Sequence, residues 1–146
     1  MIFRVVIDKE SDEEIVATVH QRTALIDEIE MLVAGNSRTD VLAVYREDEI
    51  RLLDISEAEC IMVEDGRTWV VSDGGTRYLL KQRLYEVEGQ LPPEFIRINK
   101  SSIANRKKIV RFTTNISGAV NVEFRSGFSD YVSRRCFADI KRRYGI

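Results

Sequence analysis

The sequence predicts a mainly β protein of small antiparallel sheets with short helices, preceded by a small β-β-α unit. Three observations carry this. From Val41 onward, short runs of β-branched and apolar residues recur at close spacing with turn residues between them, a pattern of hairpins rather than of alternating strands and helices. Helical periodicity is confined to three stretches. The run GNSRTD at residues 35–40 interrupts the apolar pattern and sets a boundary between residues 1–36 and residues 41–146.

Residues 2–7 alternate around Phe3, Val5 and Ile7 and read as a strand, closed by the charged segment 8–14; a second strand is expected at 15–20. Thr23 is placed to N-cap a helix over 24–34, with Leu25, Ile29, Leu32 and Val33 on one face and Gly35 as its stop. Strands are then expected at 41–45, 50–54, 60–64, 68–72 and 76–78. Glu47 with Asp48, Asp65 with Gly66, and Asp73 with Gly74 and Gly75 supply the turns. Leu80, Leu84, Val87 and Leu91 share one face of a short amphipathic helix, which Pro92 and Pro93 stop.

Beyond the prolines, Phe95, Ile96 and Ile98 suit a half-buried strand, followed by a polar loop that Ile103 and Ile109 anchor. Strands resume at 110–113 and 119–125, where Val120, Val122 and Phe124 share a face. A final helix over 134–144 follows from Phe137, Ile140 and Tyr144, with Ser133 as N-cap and Gly145 just past the end.

Charge is the most informative property. The chain has 146 residues, 44% of them hydrophobic, enough for a packed core, and a net charge of -2. Residues 94–146, however, carry 12 Lys and Arg against 4 Asp and Glu, while the remainder carries 10 against 20. A basic part on an otherwise acidic chain is an electrostatic footprint for a polyanion. Within it Asn99, Lys100, Ser101, Ser102, Asn105, Arg106, Lys107 and Lys108 form a donor-rich set without a carboxylate, the chemistry that holds phosphate oxygens and base edges. Arg134 and Arg135 fall in the first turn of the last helix. The helix dipole is already positive there, so two cations are unfavourable unless an anion is supplied.

Other functions find little support. The one histidine, His20, has no metal-ligand arrangement around it, and HExxH, GxSxG, Walker and GxGxxG patterns are missing. Cys60 and Cys136 lie far apart without CxxC spacing and read as buried thiols. No catalytic residue, metal, cofactor or small-molecule substrate is therefore expected. The apolar start is too short for a signal peptide and no run approaches the roughly 20 apolar residues of a membrane span, so a cytoplasmic protein is expected. RNA is disfavoured because the basic part is expected to offer few exposed aromatics for stacking. The rival reading is a protein interaction module that docks an acidic partner through its basic C-terminal part.

Two segments, PEFIRINKSSIANRKKI and DYVSRR, resemble the signatures of the LytTR family of bacterial DNA-binding domains, and the resemblance extends over about residues 41–146. The common His-Arg before the serine is Asn99-Lys100 here. The resemblance implies an elongated LytTR-type arrangement of small sheets from which loops, rather than a recognition helix, enter successive major grooves. It implies base reading by Lys100 and Arg135, with Asn99 beside them and Arg67 or Thr68 in a third loop. Phosphate contacts would come from Ser101, Ser102, Asn105, Arg106, Lys107, Lys108 and Arg134. With no room for a receiver domain in its first 40 residues, the chain resembles stand-alone LytTR transcriptional regulators, which are often paired with a restraining membrane protein. The implied partners are double-stranded DNA, a second copy of the chain at least on DNA, and a membrane-protein antagonist. Residues 1–36 would be the dimerisation or regulatory part.

Overall fold

Runs of alternating apolar residues fold back on one another through tight turns, and the larger part of the chain is the outcome. In the computed structural model the chain divides into two units, Met1–Asn36 and Ser37–Ile146; the structure describes residues 2–12, 14–34 and 40–146. The second unit holds strands β1 (Val41–Arg46), β2 (Glu49–Asp54), β3 (Ala58–Glu64), β4 (Arg67–Ser72), β5 (Arg77–Leu80), β6 (Phe95–Asn99) and β7 (Ser102–Asn105) in one antiparallel sheet. Their order is β2-β1-β5-β4-β3-β7-β6. Strands β8 (Ile109–Thr114), β9 (Val120–Phe124) and β10 (Ser129–Val132) form a second antiparallel sheet. Helix α2 (Leu84–Glu88) follows β5, and α3 (Arg134–Tyr144) ends the chain.

The large sheet is covered on both faces. Leu42, Val44, Ile61, Val70, Tyr78, Leu80 and Ile103 pack with Leu84, Val87 and Leu91. Cys60, Met62, Val71, Ile98 and Ala104 pack with Val120, Val122 and Phe124 of the second sheet and Ile140 of α3. Strand β3 runs through the middle, so its first five residues are all buried, and its sequence loses the alternation of a half-exposed strand. Glu59 is the polar member of that run. The β3–β4 register slips between Ala58 and Cys60, and the fully buried Glu59 carboxylate accepts from the backbone N of Ser126 at 2.9 Å and from its Oγ at 2.5 Å. A buried charge is tolerated when hydrogen bonds satisfy it, and here it ties the two sheets together.

The mainly β expectation holds, with differences in detail. The polar loop expected after Ile98 turns straight back as β7, between β6 and β3. Strand β10 was not foreseen, and the expected helix around residues 80–91 shortens to α2 because Leu80 belongs to β5.

In the first unit α1 (Ala24–Ala34) forms as expected, with Thr23 Oγ1 accepting from Ile26 N at 3.5 Å. The strands expected at 2–7 and 15–20 do not form: the described backbone of both segments joins no ladder. Two short strands with no third partner make a marginal hairpin in water, and Ile2, Phe3 and Ile7 remain 89%, 89% and 88% exposed. Ile15 and Ala17 line a shallow cleft with Ile26, Ile29 and Val33 of α1. Gly35 and the linker up to residue 39 lie outside the described residues. Among the described residues no helix is long and apolar enough to cross a membrane.

Candidate nucleic-acid interface

The turn that carries Lys100 is fixed by its own backbone chemistry. The β6–β7 register slips between Arg97 and Asn99, leaving Ile98 as an extra residue, and such a bulge re-aims the chain next to it. The Ile98 carbonyl accepts from the backbone N of Ser133 at 2.8 Å. Ser133 is the N-cap of α3, its Oγ accepting from Cys136 N at 3.2 Å. One hydrogen bond therefore connects the turn of Lys100 to the helix start of Arg135, two positions far apart in sequence.

The remaining polar groups of the turn are also engaged. Asn99 Oδ1 accepts from Ser101 N at 2.8 Å, and its Nδ2 donates to the Tyr131 carbonyl at 2.8 Å. Arg97 Nη1 donates to the Lys100 carbonyl at 2.8 Å while its Nη2 pairs with Glu88 at 2.9 Å. Val63 N donates to the Ser101 carbonyl at 2.8 Å. The Lys100 side chain projects from this frame into solvent.

Lys100, Tyr131 and Arg135 line one cleft of about 670 Å³, together with Arg97, Asp139 and Arg143. The two principal cations thus share a side of the unit. Arg134 and Arg135 are exposed, and among the described residues neither they nor Lys100 form a salt bridge. Arg67 opens β4 after a turn in which Asp65 and Gly66 have φ of 53° and 73°. It is exposed at the sheet end that the Val63–Ser101 hydrogen bond stitches to the Lys100 turn.

The rest of the expected set divides differently. Asn99 is 1% exposed, Ser102 2%, Asn105 2% and Thr68 8%, so none of them presents a side chain to a base or phosphate. Asn99 and Ser102 instead hold the Lys100 turn. Asn105 donates to the Ala58 carbonyl at 2.9 Å and accepts from Lys107 N at 3.1 Å, capping a 3-10 turn over Arg106–Lys108. In that turn Lys108, with only 16% of its side chain exposed, pairs with Asp73 at 2.9 Å and is already neutralised. Lys107 is 63% exposed and 3.7 Å from Glu94. The Arg106 guanidinium lies 5.8 Å over the Tyr144 ring at the far end of α3. The run of cations seen in sequence is therefore two groups, separated by the 11 residues of α3, about 16 Å of helix.

Three residues of the site fall inside the two family-like segments but receive no role from sequence: Arg97 and Asp130, which brace the turn, and Tyr131, which lines the cleft. The clue was the segment after Gly127, where exposed Ser129 and Tyr131 alternate with half-buried Asp130 and buried Val132, a strand too short and too polar for an apolar count to register. Among the described residues no group of three or more His, Cys, Asp and Glu could hold a metal ion. Cys60 and Cys136 are free thiols of the second core.

The chain matches the family model of the LytTr DNA-binding domain over residues 48–145. A protein of Staphylococcus aureus strain COL, described as an uncharacterized HTH-type transcriptional regulator, is 31% identical over 109 residues, which is 75% of this chain and 74% of that relative. A protein of the same description from the bovine strain of the species is 32% identical over 109 residues, with the same shares covered. The solved LytTr DNA-binding domain of a Bacillus cereus protein superposes with a TM-score of 0.68 at 21% identity, covering 74% of this chain and 99% of that domain, a likeness of fold. The matched span contains both sheets from β2 onward and every element that carries Lys100 and Arg135, and the chain belongs to the LytTr DNA-binding domain family.

Proposed function

We propose that the protein is a sequence-specific, double-stranded-DNA-binding transcription regulator that reads the major grooves of a repeated site with its loops. The observation that carries this is the pair Lys100 and Arg135: exposed, without a salt bridge among the described residues, lining one cleft and joined through the Ile98–Ser133 hydrogen bond. Lys and Arg are the side chains that recognise guanine O6 and N7. Arg67 is the third reader, from the neighbouring turn. Ser101 and Arg134, the sequence neighbours of Lys100 and Arg135, are the proposed phosphate contacts beside the readers, with Arg106 and Lys107 at the other end of α3.

Loops are favoured as readers because α1, α2 and α3 are separated by strands, so no two consecutive helices form a helix-turn-helix pair among the described elements. A repeated site implies two protomers on DNA about one helical turn apart. The exposed apolar residues of the first unit supply a surface for that assembly or for a membrane-protein antagonist, and action on DNA is a cytoplasmic role.

The test is selection of bound sites from a random duplex library at stated salt. Enrichment of a repeated motif is the expected result, and Arg135→Ala or Lys100→Ala should lose about 1–3 kcal/mol of discrimination at one base position. An unchanged selection profile for Arg135→Ala would remove that residue from the reading set. If no duplex is enriched and an acidic protein is retained by the basic part instead, the protein is an interaction module.

A further inference from the structure

We propose that Asp130 is the positioning residue that sets base discrimination, by clamping the Lys100 turn to the strand that launches Arg135; this rests on the DNA-reading function above. Asp130 is half-buried on β10. Its Oδ2 accepts from Ser102 Oγ at 2.6 Å, and its Oδ1 accepts from Tyr131 N at 2.8 Å and from Asn99 Nδ2 at 3.4 Å. Asn99 and Ser102 are the last residue of β6 and the first of β7, the two flanks of the turn. Tyr131 leads through Val132 to Ser133, the cap of the helix that begins with Arg134 and Arg135. A single carboxylate thus binds both feet of one reading element and the root of the other.

Its position is costly if charge is all that matters. A carboxylate near the reading cations repels phosphates, so an acid with a purely electrostatic effect would weaken binding to every duplex, and its removal would tighten all of them. Asp130 also forms no salt bridge among the described residues; it neutralises neither Lys100 nor Arg135. Its oxygens are spent on donors of the frame. Base-edge hydrogen bonds demand placement within about 0.5 Å, and a short charge-assisted bond is a stiff way to hold such a spacing.

The experiment uses the full chain and four proteins: wild type, Asp130→Ala, Asp130→Asn and Ser102→Ala. Each is titrated at fixed salt with the selected duplex and with a scrambled duplex of the same length, and exchange of the Ser101 and Ser133 amides is followed in the free protein. Asp130→Ala should bind the scrambled duplex at least as tightly as wild type while its preference for the selected duplex falls about tenfold. The two amides should exchange faster. Asp130→Asn, which keeps an acceptor for Ser102, should stay closer to wild type. Ser102→Ala changes no charge and should lower the preference in the same direction; if Asp130→Ala does not fold, Ser102→Ala decides alone. The proposal is overturned if preference is unchanged in both, or if affinities for the two duplexes move together. Wild type discriminating while the variants keep its preference sinks this inference and leaves the DNA-reading function standing; wild type failing to discriminate sinks both.

Discussion

Neighbouring residues of one motif have opposite fates: Lys100 is solvent-facing and Asn99 is 1% exposed. Sequence chemistry alone treats the two as equivalent donors, because what separates them is the Ile98 bulge, a one-residue slip that no side chain announces. The same applies to Ser102, Asn105 and Thr68, polar residues whose hydrogen bonds are made inside the protein. Cys60 illustrates the reverse, since its burial was foreseen from its type. Burial, reinforced by the Asp130 and Glu59 carboxylates, pushes its thiol well above the ordinary value of 9.0. The folded state therefore keeps this proton when the unfolded chain would release it. Its contribution to stability is whole below pH 9.0 and is lost as pH rises toward the folded value. At pH 8 an alkylating reagent should modify the half-buried Cys136 first and reach Cys60 only when denaturant opens the core, an order that mass spectrometry of the labelled peptides checks. Equal labelling of the two in the native protein would contradict the buried geometry.

The elements differ in how clearly they were written. Strands β1 to β4 were legible because apolar runs stand between turn residues such as Asp65 and Gly66, and α3 because a Ser cap, an apolar stripe and a terminal glycine agree. Strands β7 and β10 were not. Each has four residues, and each carries polar side chains that satisfy one another across the sheets rather than facing water, so apolar periodicity is silent about them. The two strands proposed at 2–7 and 15–20 show the converse, a correct alternation with no partner to pair with. Helix α3 gives the test at this scale. Replacing Ser133 by Ala removes the acceptor for Cys136 N and should cost about 1 kcal/mol in denaturant unfolding. The hydrogen bond from the Ser133 backbone N to the Ile98 carbonyl survives the change, so base preference should be kept; a loss of preference as large as that of Arg135→Ala would mean that the cap itself touches DNA.

For the whole molecule, cations fall into two groups along α3, and under the proposed function the readers lie at one end and Arg106 and Lys107 serve as a sequence-blind foothold at the other. Lys107→Ala should weaken binding to selected and scrambled duplexes alike and reduce the slope of log affinity against log salt by about one unit; an unaltered slope would confine contact to the reading end. Assembly belongs to this scale too. Phe3→Ser with Ile7→Ser, at side chains that are 89% and 88% exposed, should leave the fold of the second unit intact and reduce the fraction of two-protomer complexes counted by mass photometry on the selected duplex. An undiminished fraction would free the first unit from that role. The turn at residue 100 has one more implication. Its carbonyls and amides are occupied by Arg97, Val63 and Asn99, so the scaffold asks nothing of the side chain at the tip. If Lys100 reads a base as proposed, relatives of this chain can exchange that one letter and acquire new target promoters while inheriting the architecture unchanged.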